Sequence, residues 1–345
     1  MGPDARPPGS VRGVPDHDDL ALVQRTAAYA VVTDPDGALL LVRASPRSDF
    51  AGRWFLPGGG VAHGEAPLDA VVREVAEETG VPVRVAGPRA VLADVVDLPH
   101  RRVRVHTLRV LYDAEPVAGW PVERLRPEPD GTSDHAELVP PERLPALPLM
   151  PYVAELLGHA TDLPVATDPE RPEPLTDTEP HNGPHSDDAE AEALAADVVV
   201  RTQRPAAYAV LRDGDHVLLT RLRDSGGMWT LPGGGIDHGE NPLVALVREV
   251  YEETGLELTP GRLVAVSSKH FTGHAPNGRL EDFHGIRLVY AGSVPPGEPR
   301  VTEVGGSTEA VAWVPLRDVG GLRLADVVVE GLAAAGVALD GAGRP

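Results

Sequence analysis

Residues 59–81 read GGVAHGEAPLDAVVREVAEETGV, and residues 234–256 read GGIDHGENPLVALVREVYEETGL. Both segments fit the pattern G-x5-E-x7-R-E-U-x-E-E-x-G-U, where U is aliphatic, with no position missed. The second segment is therefore a repeat of the first. A pattern that gathers glutamates and one arginine around a helix predicts a site for a divalent cation and a diphosphate.

The repeat extends well beyond this pattern. QRTAAYAVV at Gln24 matches QRPAAYAVL at Gln203, and HTLRVLY at His106 matches HGIRLVY at His284. We therefore predict two copies of one domain, residues 19–158 and 197–340. The acidic, proline-rich residues 159–196 are predicted to form a disordered linker, residues 1–18 a disordered tail and residues 341–345 a short tail. With such a linker the domains are free either to pair within the chain or to move separately.

Composition narrows the functional classes. The chain has 345 residues, a net charge of -21 and no cysteine. The charge argues against binding to long nucleic acid or to an anionic membrane, because such binding needs clustered basic residues. The absence of cysteine excludes disulfides and thiol nucleophiles. No apolar run is long enough for a transmembrane helix, and the N-terminal segment lacks the apolar region of a secretory signal, so we expect a cytoplasmic protein.

Each half shows the same order of predicted elements. Two strands, at residues 27–32 and 38–42 or at 206–211 and 216–220, precede a glycine-rich loop and the motif helix. Further strands and a closing helix follow, the helix at residues 147–159 or 324–335. Mixed helices, strands and hairpins predict the α/β class, with a mixed sheet sandwiched between helices in each half.

The motif helix has clear end signals and two faces. Pro67 and Pro242 suit the first helical position, Asn241 is a good N-cap, and Gly80 and Gly255 end the helices. An aliphatic stripe is expected to face the core in each half (Leu68, Val71, Val72 and Val75; Leu243, Leu246, Val247 and Val250). Three glutamates are expected on the roughly opposite side (Glu74, Glu77 and Glu78; Glu249, Glu252 and Glu253).

Three carboxylates on one helical turn repel each other, and a hard divalent cation removes that cost. The neighbouring glycines allow close approach of the backbone to a metal or phosphate, and the adjacent arginine is suited to orienting a carboxylate. Glutamates on a helix are more often a solvated face. That reading does not explain the fixed glycine and arginine positions or their recurrence in the second half.

Both segments resemble the Nudix box, and the flanking strands resemble a Nudix domain, so the chain looks like two tandem Nudix domains. The resemblance implies two α/β/α sandwiches and hydrolysis of nucleoside diphosphates linked to another group, with Mg²⁺ or Mn²⁺, by water attack on phosphorus. It implies that three glutamates of each half bind the metal and that one glycine shapes the loop beside it (Glu74, Glu77, Glu78 and Gly59; Glu249, Glu252, Glu253 and Gly234). It implies supporting and orienting roles for the remaining motif residues (Glu65 and Arg73; Glu240 and Arg248).

Several residues outside the motif are further candidates. Asp134 and Glu309 occupy matching places and suit either an accessory catalytic carboxylate or a turn. His63 and His238 suit a loop hydrogen bond or a phosphate contact, and His106 and His284 a structural role or a pocket wall. Trp54 and Trp229 suit core packing or base stacking.

The substrate is left open by the sequence. The positions after the box where related subfamilies carry a signature proline or tyrosine hold Val96 and Asp97 in the first half and Phe271 and Thr272 in the second. The segments there differ between the halves, so the two pockets are expected to accept different small nucleotides. The alternatives are one active and one inactive copy, or a nucleotide sensor without turnover. An isoprenoid diphosphate isomerase is disfavoured because that activity depends on a cysteine.

Overall fold

The computed structural model describes residues 20–117, 125–127, 131–159, 199–223, 225–274, 278–302 and 305–339. The two predicted tails, residues 1–18 and 341–345, lie outside the described residues. So does the predicted linker, apart from residue 159.

Among its described residues, the first half contains seven strands and two α-helices, in chain order β1 (Ala21–Val31), β2 (Leu39–Ala44), β3 (Trp54–Phe55), β4 (Gly58–Gly60), α1 (Pro67–Thr79), β5 (Val83–Leu98), β6 (Val103–Pro116), β7 (Ser133–Val139) and α2 (Pro151–Leu157). Short 3-10 helices span Pro99–Arg101 and Pro141–Ala146. One sheet has the order β4-β1-β6-β5, with β1 parallel to β6 and antiparallel to β4. A smaller antiparallel sheet has the order β3-β2-β7.

The second half repeats this layout with β8 (Val200–Asp213), β9 (His216–Leu222), β10 (Trp229–Thr230), β11 (Gly233–Gly235), α3 (Pro242–Thr254), β12 (Thr259–His274), β13 (Leu280–Ser293), β14 (Thr308–Pro315), α4 (Leu316–Val319) and α5 (Asp326–Ala334). Strand β8 is parallel to β13 and antiparallel to β11. It also pairs with β9, which joins the strands into one sheet. The prediction of an α/β fold with mixed sheets is confirmed.

The central strands bury both faces, as a sheet between helices requires. Along β1, Ala28 and Ala30 pack in the same cluster as Val71 of α1, whereas Tyr29 packs with Val153 of α2 on the other face. In the second half, Ala209 and Leu246 of α3 share one cluster, and Val210 and Val328 of α5 share another. Each sheet therefore lies between an inner motif helix and an outer closing helix.

The inner faces of the two halves form one continuous core. A single cluster of buried residues includes Val71 and Val75 from α1 together with Leu246 and Val250 from α3. Helix α1 contacts strand β12 of the second half, and α3 contacts strand β5 of the first. The two halves are therefore in contact through their motif helices in a reciprocal arrangement.

The predicted ends of the motif helices agree with the structure. Pro67 and Pro242 occupy the first turn, and the side chain of Asn241 accepts a hydrogen bond from the backbone N–H of Leu243 at 2.9 Å. Gly80 and Gly255 end the helices with φ of 72° and 67°, in the left-handed region that favours glycine.

The predicted core stripe is displaced on the helix. Leu68 is 47% exposed, Leu243 40% and Val247 37%, so these three are surface residues rather than core. Their places in the core are taken by Ala70 and Ala245, which are fully buried. Glu78 also lies on the buried side of its helix, at 5% exposure, which the sequence pattern did not predict.

Several predicted boundaries also shift. Strand β1 begins at Ala21 because its first residues pair in parallel with β6, starting opposite Val103. The closing helices begin later than predicted, at Pro151 and Asp326, because Leu149 and Leu324 instead form β-bridges to the tryptophans that precede the glycine loops. Within the described part of the chain, no helix has the length and apolarity needed to cross a membrane.

Candidate functional site

The acidic cluster lies between helix α1 and the glycine strand β4. The Oε2 atom of Glu78 accepts a hydrogen bond from the backbone N–H of Gly58 at 2.9 Å, and Glu78 is only 5% exposed. Glu74 lies so close to Gly59 that a Cβ atom at position 59 would be 2.6 Å from Cδ of Glu74. Glycine at this position is therefore required by the packing of the carboxylate rather than by its backbone angles.

Arg73 holds three of the four glutamates. Its Nε and Nη2 donate to Oε1 and Oε2 of Glu65 at 2.8 and 3.0 Å, which is a bidentate pair. Its Nη1 donates to Glu74 Oε1 at 2.9 Å and to Glu77 Oε2 at 3.0 Å. One guanidinium group therefore sets the positions of these carboxylates relative to one another.

The same geometry divides the glutamates by their affinity for protons. The hydrogen bonds from Arg73 lower the pKa of Glu65. Burial raises the pKa of Glu74 above its ordinary value even though Arg73 opposes the shift. Burial raises the pKa of Glu78 to about 8, and the charges of Glu74 and Glu77 add to the shift. Glu78 is thus a buried carboxyl group beside two other carboxylates, and its ionised form needs a nearby positive charge.

The second half reproduces this arrangement. Nε and Nη2 of Arg248 donate to Oε1 and Oε2 of Glu240, both at 2.9 Å, and Nη1 donates to Glu249 at 2.9 Å and to Glu252 at 3.3 Å. Glu253 is 3% exposed and accepts a hydrogen bond from the Gly233 N–H at 2.9 Å. A Cβ at position 234 would overlap the carboxylate of Glu249. Both copies therefore present the same set of atoms.

The residues present fit a hard divalent cation. Every candidate ligand is a carboxylate or backbone oxygen, the donor type that Mg²⁺ and Mn²⁺ prefer. A cation beside Glu78 would also supply the positive charge that this buried carboxyl group requires for ionisation, and Glu253 is buried at the matching place of the second half. The donor set and the burial of the two glutamates are thus consistent with metal binding in each half.

A cavity of about 700 Å³ opens beside the acidic cluster of the first half. Its floor includes the glycine strand, Glu74 and Glu78. Its walls combine cationic and aromatic side chains, which suit the phosphate and ring portions of a nucleotide (Arg25, Arg47, Arg101 and Arg109; Tyr29, Phe50, Phe55 and Tyr152). The cavity is therefore complementary to a small anionic ligand with an aromatic part.

The structure adds contacts that the motif alone did not identify. The hydroxyl group of Ser133 hydrogen-bonds Glu78, and Thr308 Oγ1 donates to Glu253. The exposed Arg25 and Arg204 lie against the glycine strands, Arg25 with Nη2 3.6 Å from the Cβ position of Gly60. The repeat contained sequence signals for these contacts. Ser133 and Thr308 lie in the matching GTSD and GSTE segments, and the two arginines lie in the QR pair that begins both copies.

The two accessory carboxylates pair with arginines on neighbouring strands. Asp134 Oδ1 is 2.8 Å from Nε of Arg43, and Glu309 Oε1 is 2.8 Å from Nε of Arg221. The Arg221 guanidinium in turn lies 5.7 Å from the ring centroid of Trp229. These contacts fix both carboxylates on β7 and β14, and their catalytic role stays a prediction.

The tryptophans differ in burial. Trp54 is 7% exposed and meets the His135 ring edge-on at 5.6 Å, whereas Trp229 is only half-buried. Packing accounts for Trp54.

The predicted histidines lie at the contact between the two halves. His106 and His284 are fully buried, and their Nδ1 atoms are each 3.1 Å from the side-chain nitrogen of Gln24 or Gln203. His238 Nε2 is 3.2 Å from the backbone oxygen of Arg104 in the other half. None of the four predicted histidines, His63 included, lines the cavity beside the first acidic cluster.

Comparison with known proteins agrees with the duplication. The family model described as NUDIX domain matches residues 23–157 and again residues 202–331. A CTP pyrophosphohydrolase of Escherichia coli is 37% identical over 84 residues, which are 23% of this chain and 62% of that protein. An RNA pyrophosphohydrolase of Rhizobium meliloti is 31% identical over 111 residues, which are 27% of this chain and 62% of that protein.

These alignments span less than two thirds of the length of either relative. Among solved structures, the MutT NUDIX hydrolase from Burkholderia pseudomallei is 30% identical with a TM-score of 0.33. That alignment covers 39% of this chain and 98% of the solved one.

Proposed function

This chain belongs to the NUDIX domain family, and we propose that both of its halves hydrolyse the pyrophosphate bond of nucleoside diphosphate-linked small molecules. This proposal rests on the acidic cluster that occurs in both halves. In each cluster one arginine hydrogen-bonds three glutamates beside a glycine strand, and a fourth glutamate is buried. Candidate substrates are nucleoside triphosphates, nucleotide sugars, ADP-ribose-like compounds and dinucleotides. A cytoplasmic location is part of the same proposal.

We assign metal binding to the three helix glutamates and the adjacent glycine of each half (Glu74, Glu77, Glu78 and Gly59; Glu249, Glu252, Glu253 and Gly234). Bound Mg²⁺ or Mn²⁺ would polarise a phosphoryl oxygen and lower the pKa of a coordinated water. Arg73 and Arg248 hold the carboxylates in place and so limit the reorganisation needed at each site. Glu65 and Glu240 fix the arginines through bidentate pairs.

The cavity of the first half supports a nucleotide ligand. Arg25 and Arg101 are suited to phosphate oxygens, and Tyr29 and Phe50 offer aromatic surface for a base or sugar. Arg109 is buried beneath the cavity, pairs with Asp94 and stacks 4.6 Å from the ring centroid of Tyr152. The fold therefore holds this guanidinium beside the cavity, where Asp94 balances its charge.

The strands beside this cavity carry different charges from the matching strands of the second half. In the register of β5 and β6, Asp94 lies opposite Thr107. In the matching register of β12 and β13, Lys269 takes the place of Asp94 and lies opposite Gly285. Lys269 Nζ binds Asp326 at 2.5 Å. An acidic side chain in one half is thus replaced by a basic one in the other, which supports different substrates for the two sites.

The test uses the full chain with one site disabled at a time. Glu77→Gln and Glu252→Gln each remove a candidate metal ligand while nearly preserving side-chain volume. Hydrolysis of nucleoside di- and triphosphates, nucleotide sugars, ADP-ribose, dinucleotides and 5′-triphosphate RNA is measured with Mg²⁺. We expect each variant to lose a different part of the wild-type profile and the double variant to lose all of it.

Other outcomes separate the alternatives. Identical profiles for the two single variants would remove the support for different substrates. Full activity in one single variant and none in the other would indicate one inactive copy. Tight nucleotide binding by wild type without turnover of any compound would favour the sensor, and unchanged turnover in the double variant would refute the proposed metal sites.

A further inference from the structure

A second cluster of metal-binding side chains lies outside both acidic sites, at the contact between the halves. His63 belongs to the loop before α1 in the first half, whereas His270 and Asp282 lie on β12 and β13 of the second. One ligand atom from each of these residues lies within 4.8 Å of the others. Asp282 Oδ1 is 2.5 Å from His270 Nε2, and its Oδ2 is 3.2 Å from His63 Nε2.

Hydrogen bonding in the surrounding backbone holds the loop against the second half. The Gly64 N–H lies 3.1 Å from His284 Nδ1, and Gln203 donates to the backbone oxygen of Val61 at 3.2 Å. A Cβ at Gly64 would be 3.0 Å from Nδ1 of His270, so this glycine lets the imidazole approach the loop closely. The loop is thus fixed on both sides of His63.

The contact of His63 with Asp282 is close but not a good hydrogen bond. Its Nε2 is buried and makes no hydrogen bond within the described residues, although Asp282 Oδ2 lies 3.2 Å away. An imidazole nitrogen binds a metal ion along its in-plane lone pair, so the ion need not lie on the line from Nε2 to Asp282 Oδ2. A buried ring nitrogen without a hydrogen bond can therefore serve as a metal ligand.

We propose that His63 Nε2, His270 Nε2 and a carboxylate oxygen of Asp282 together bind a divalent ion of the zinc class between the two halves of the chain. Two imidazoles and one carboxylate are a donor set suited to Zn²⁺ and its neighbours among the transition metals. Mg²⁺ prefers oxygen donors alone and is expected at the glutamate clusters instead. A fourth position is left for water.

The competing explanation is an ordinary ionic contact in which Asp282 neutralises protonated imidazoles. Arg201 Nε also lies 3.6 Å from Asp282 Oδ2, but its side chain is 77% exposed and is free to move away. The two explanations differ in a measurable way. An ionic contact needs no ion other than protons, whereas the proposed site takes up one transition-metal ion for each chain.

The duplication supplies an internal control. His238 occupies the place of His63 in the second copy, and its partner strands in the first half carry Val95 and Arg104 where β12 and β13 carry His270 and Asp282. Val95 Cγ2 lies 3.9 Å from the Cβ position of Gly239, just as His270 lies against Gly64. The backbone arrangement is repeated without the ligands, so one transition-metal site is expected for each chain rather than two.

The experiment titrates the metal-free full chain with Zn²⁺ and Co²⁺ in saturating Mg²⁺, by calorimetry and visible absorption. Wild type is expected to bind one Zn²⁺ in excess of the Mg²⁺ sites. Co²⁺ at the same site should absorb visible light more strongly than octahedral Co²⁺, because a tetrahedral site lacks a centre of symmetry. His270→Ala and Asp282→Asn are each expected to weaken Zn²⁺ binding by at least about 100-fold, whereas His238→Ala retains it.

Equal stoichiometry and affinity in wild type, His270→Ala and Asp282→Asn would overturn the proposal, and so would the absence of saturable Zn²⁺ uptake by wild type. Folding is checked by cooperative melting of each variant. If His270→Ala and Asp282→Asn do not fold, the Val95→His/Arg104→Asp double variant tests the proposed Zn²⁺ site instead. It should gain a second Zn²⁺ at the matching position, and no gain would contradict the assignment.

Discussion

Nε and Nη2 of Arg73 form a bidentate pair with the two carboxylate oxygens of Glu65, at 2.8 and 3.0 Å. Because Nη1 of the same guanidinium also reaches Glu74 and Glu77, Arg73 links the glycine-loop side of the site to the helix side. Arg248 forms the same links in the second half. This relationship makes the arginine the most informative residue to change.

Arg73→Lys should impair the first site while keeping its charge. An ammonium group cannot form the parallel pair with Glu65 and also hold Glu74 and Glu77. We expect Mg²⁺ affinity and kcat/KM to fall about 10- to 100-fold, in the range typical of residues that orient metal ligands. The measurement uses a Glu252→Gln background, so that only the first half contributes. Arg84→Lys, in an exposed pair with Glu115, is the matched control and should leave kcat/KM unchanged.

Gly59→Ala should displace Glu74, because the added Cβ would lie 2.6 Å from its carboxylate carbon. We expect weaker Mg²⁺ binding by calorimetry and lower turnover, again by about 10- to 100-fold. Gly87→Ala is the control, since no atom lies within 4 Å of its Cβ position. Equal Mg²⁺ affinity in Gly59→Ala and wild type would show that the position of Glu74 does not matter for metal binding.

Gln24→Ala should weaken the contact between the halves. The Gln24 amide donates to the backbone oxygen of Ile236 at 3.1 Å, and its removal leaves that oxygen without this partner. The expected loss in free energy of unfolding is about 1–3 kcal/mol, the cost of a buried polar group that loses its hydrogen bond. Leu22→Ala on the same strand, where Leu22 is 64% exposed, should change it by less than about 0.5 kcal/mol. Urea denaturation at pH 7 compares the variants.

His106 should make stability depend on pH in a defined window. Burial, assisted by the charges of His238 and Arg109, lowers the pKa of His106 from 6.5 to about 4. The folded state therefore favours the neutral ring. The contribution of the neutral His106 ring to the free energy of unfolding is complete above pH 6.5. It is lost as the pH falls toward 4, because the histidine of the unfolded chain takes up a proton first. The expected loss is about 3 kcal/mol at about 1.4 kcal/mol for each pKa unit.

The measurement compares the free energy of unfolding of wild type and His106→Gln at several pH values between 4 and 7. Other carboxyl groups titrate in both proteins, so the difference between the two curves isolates the histidine. A difference that does not change with pH would show that His106 is not kept neutral by burial.

Much of the fold followed from periodicity and end signals. The motif helices begin and end where their prolines and glycines predicted, because these residues act through the local backbone. The core stripe was displaced because the choice between Leu68 and Ala70 depends on how closely the helix approaches the sheet. The starts of β1 and the closing helices depended on pairing with distant strands, for which a local pattern carries no signal.

The sequence by itself determined the duplication, the α/β class and the motif residues, because a repeated spacing of charged and glycine residues is a property of the chain alone. Only the tertiary structure decided that Glu78 and Glu253 are buried and that Ser133 and Thr308 reach them. It alone brought His63 of one half beside His270 and Asp282 of the other. These relations depend on how the motif helices and the sheets of both halves pack, and packing brings together residues that are far apart in the chain.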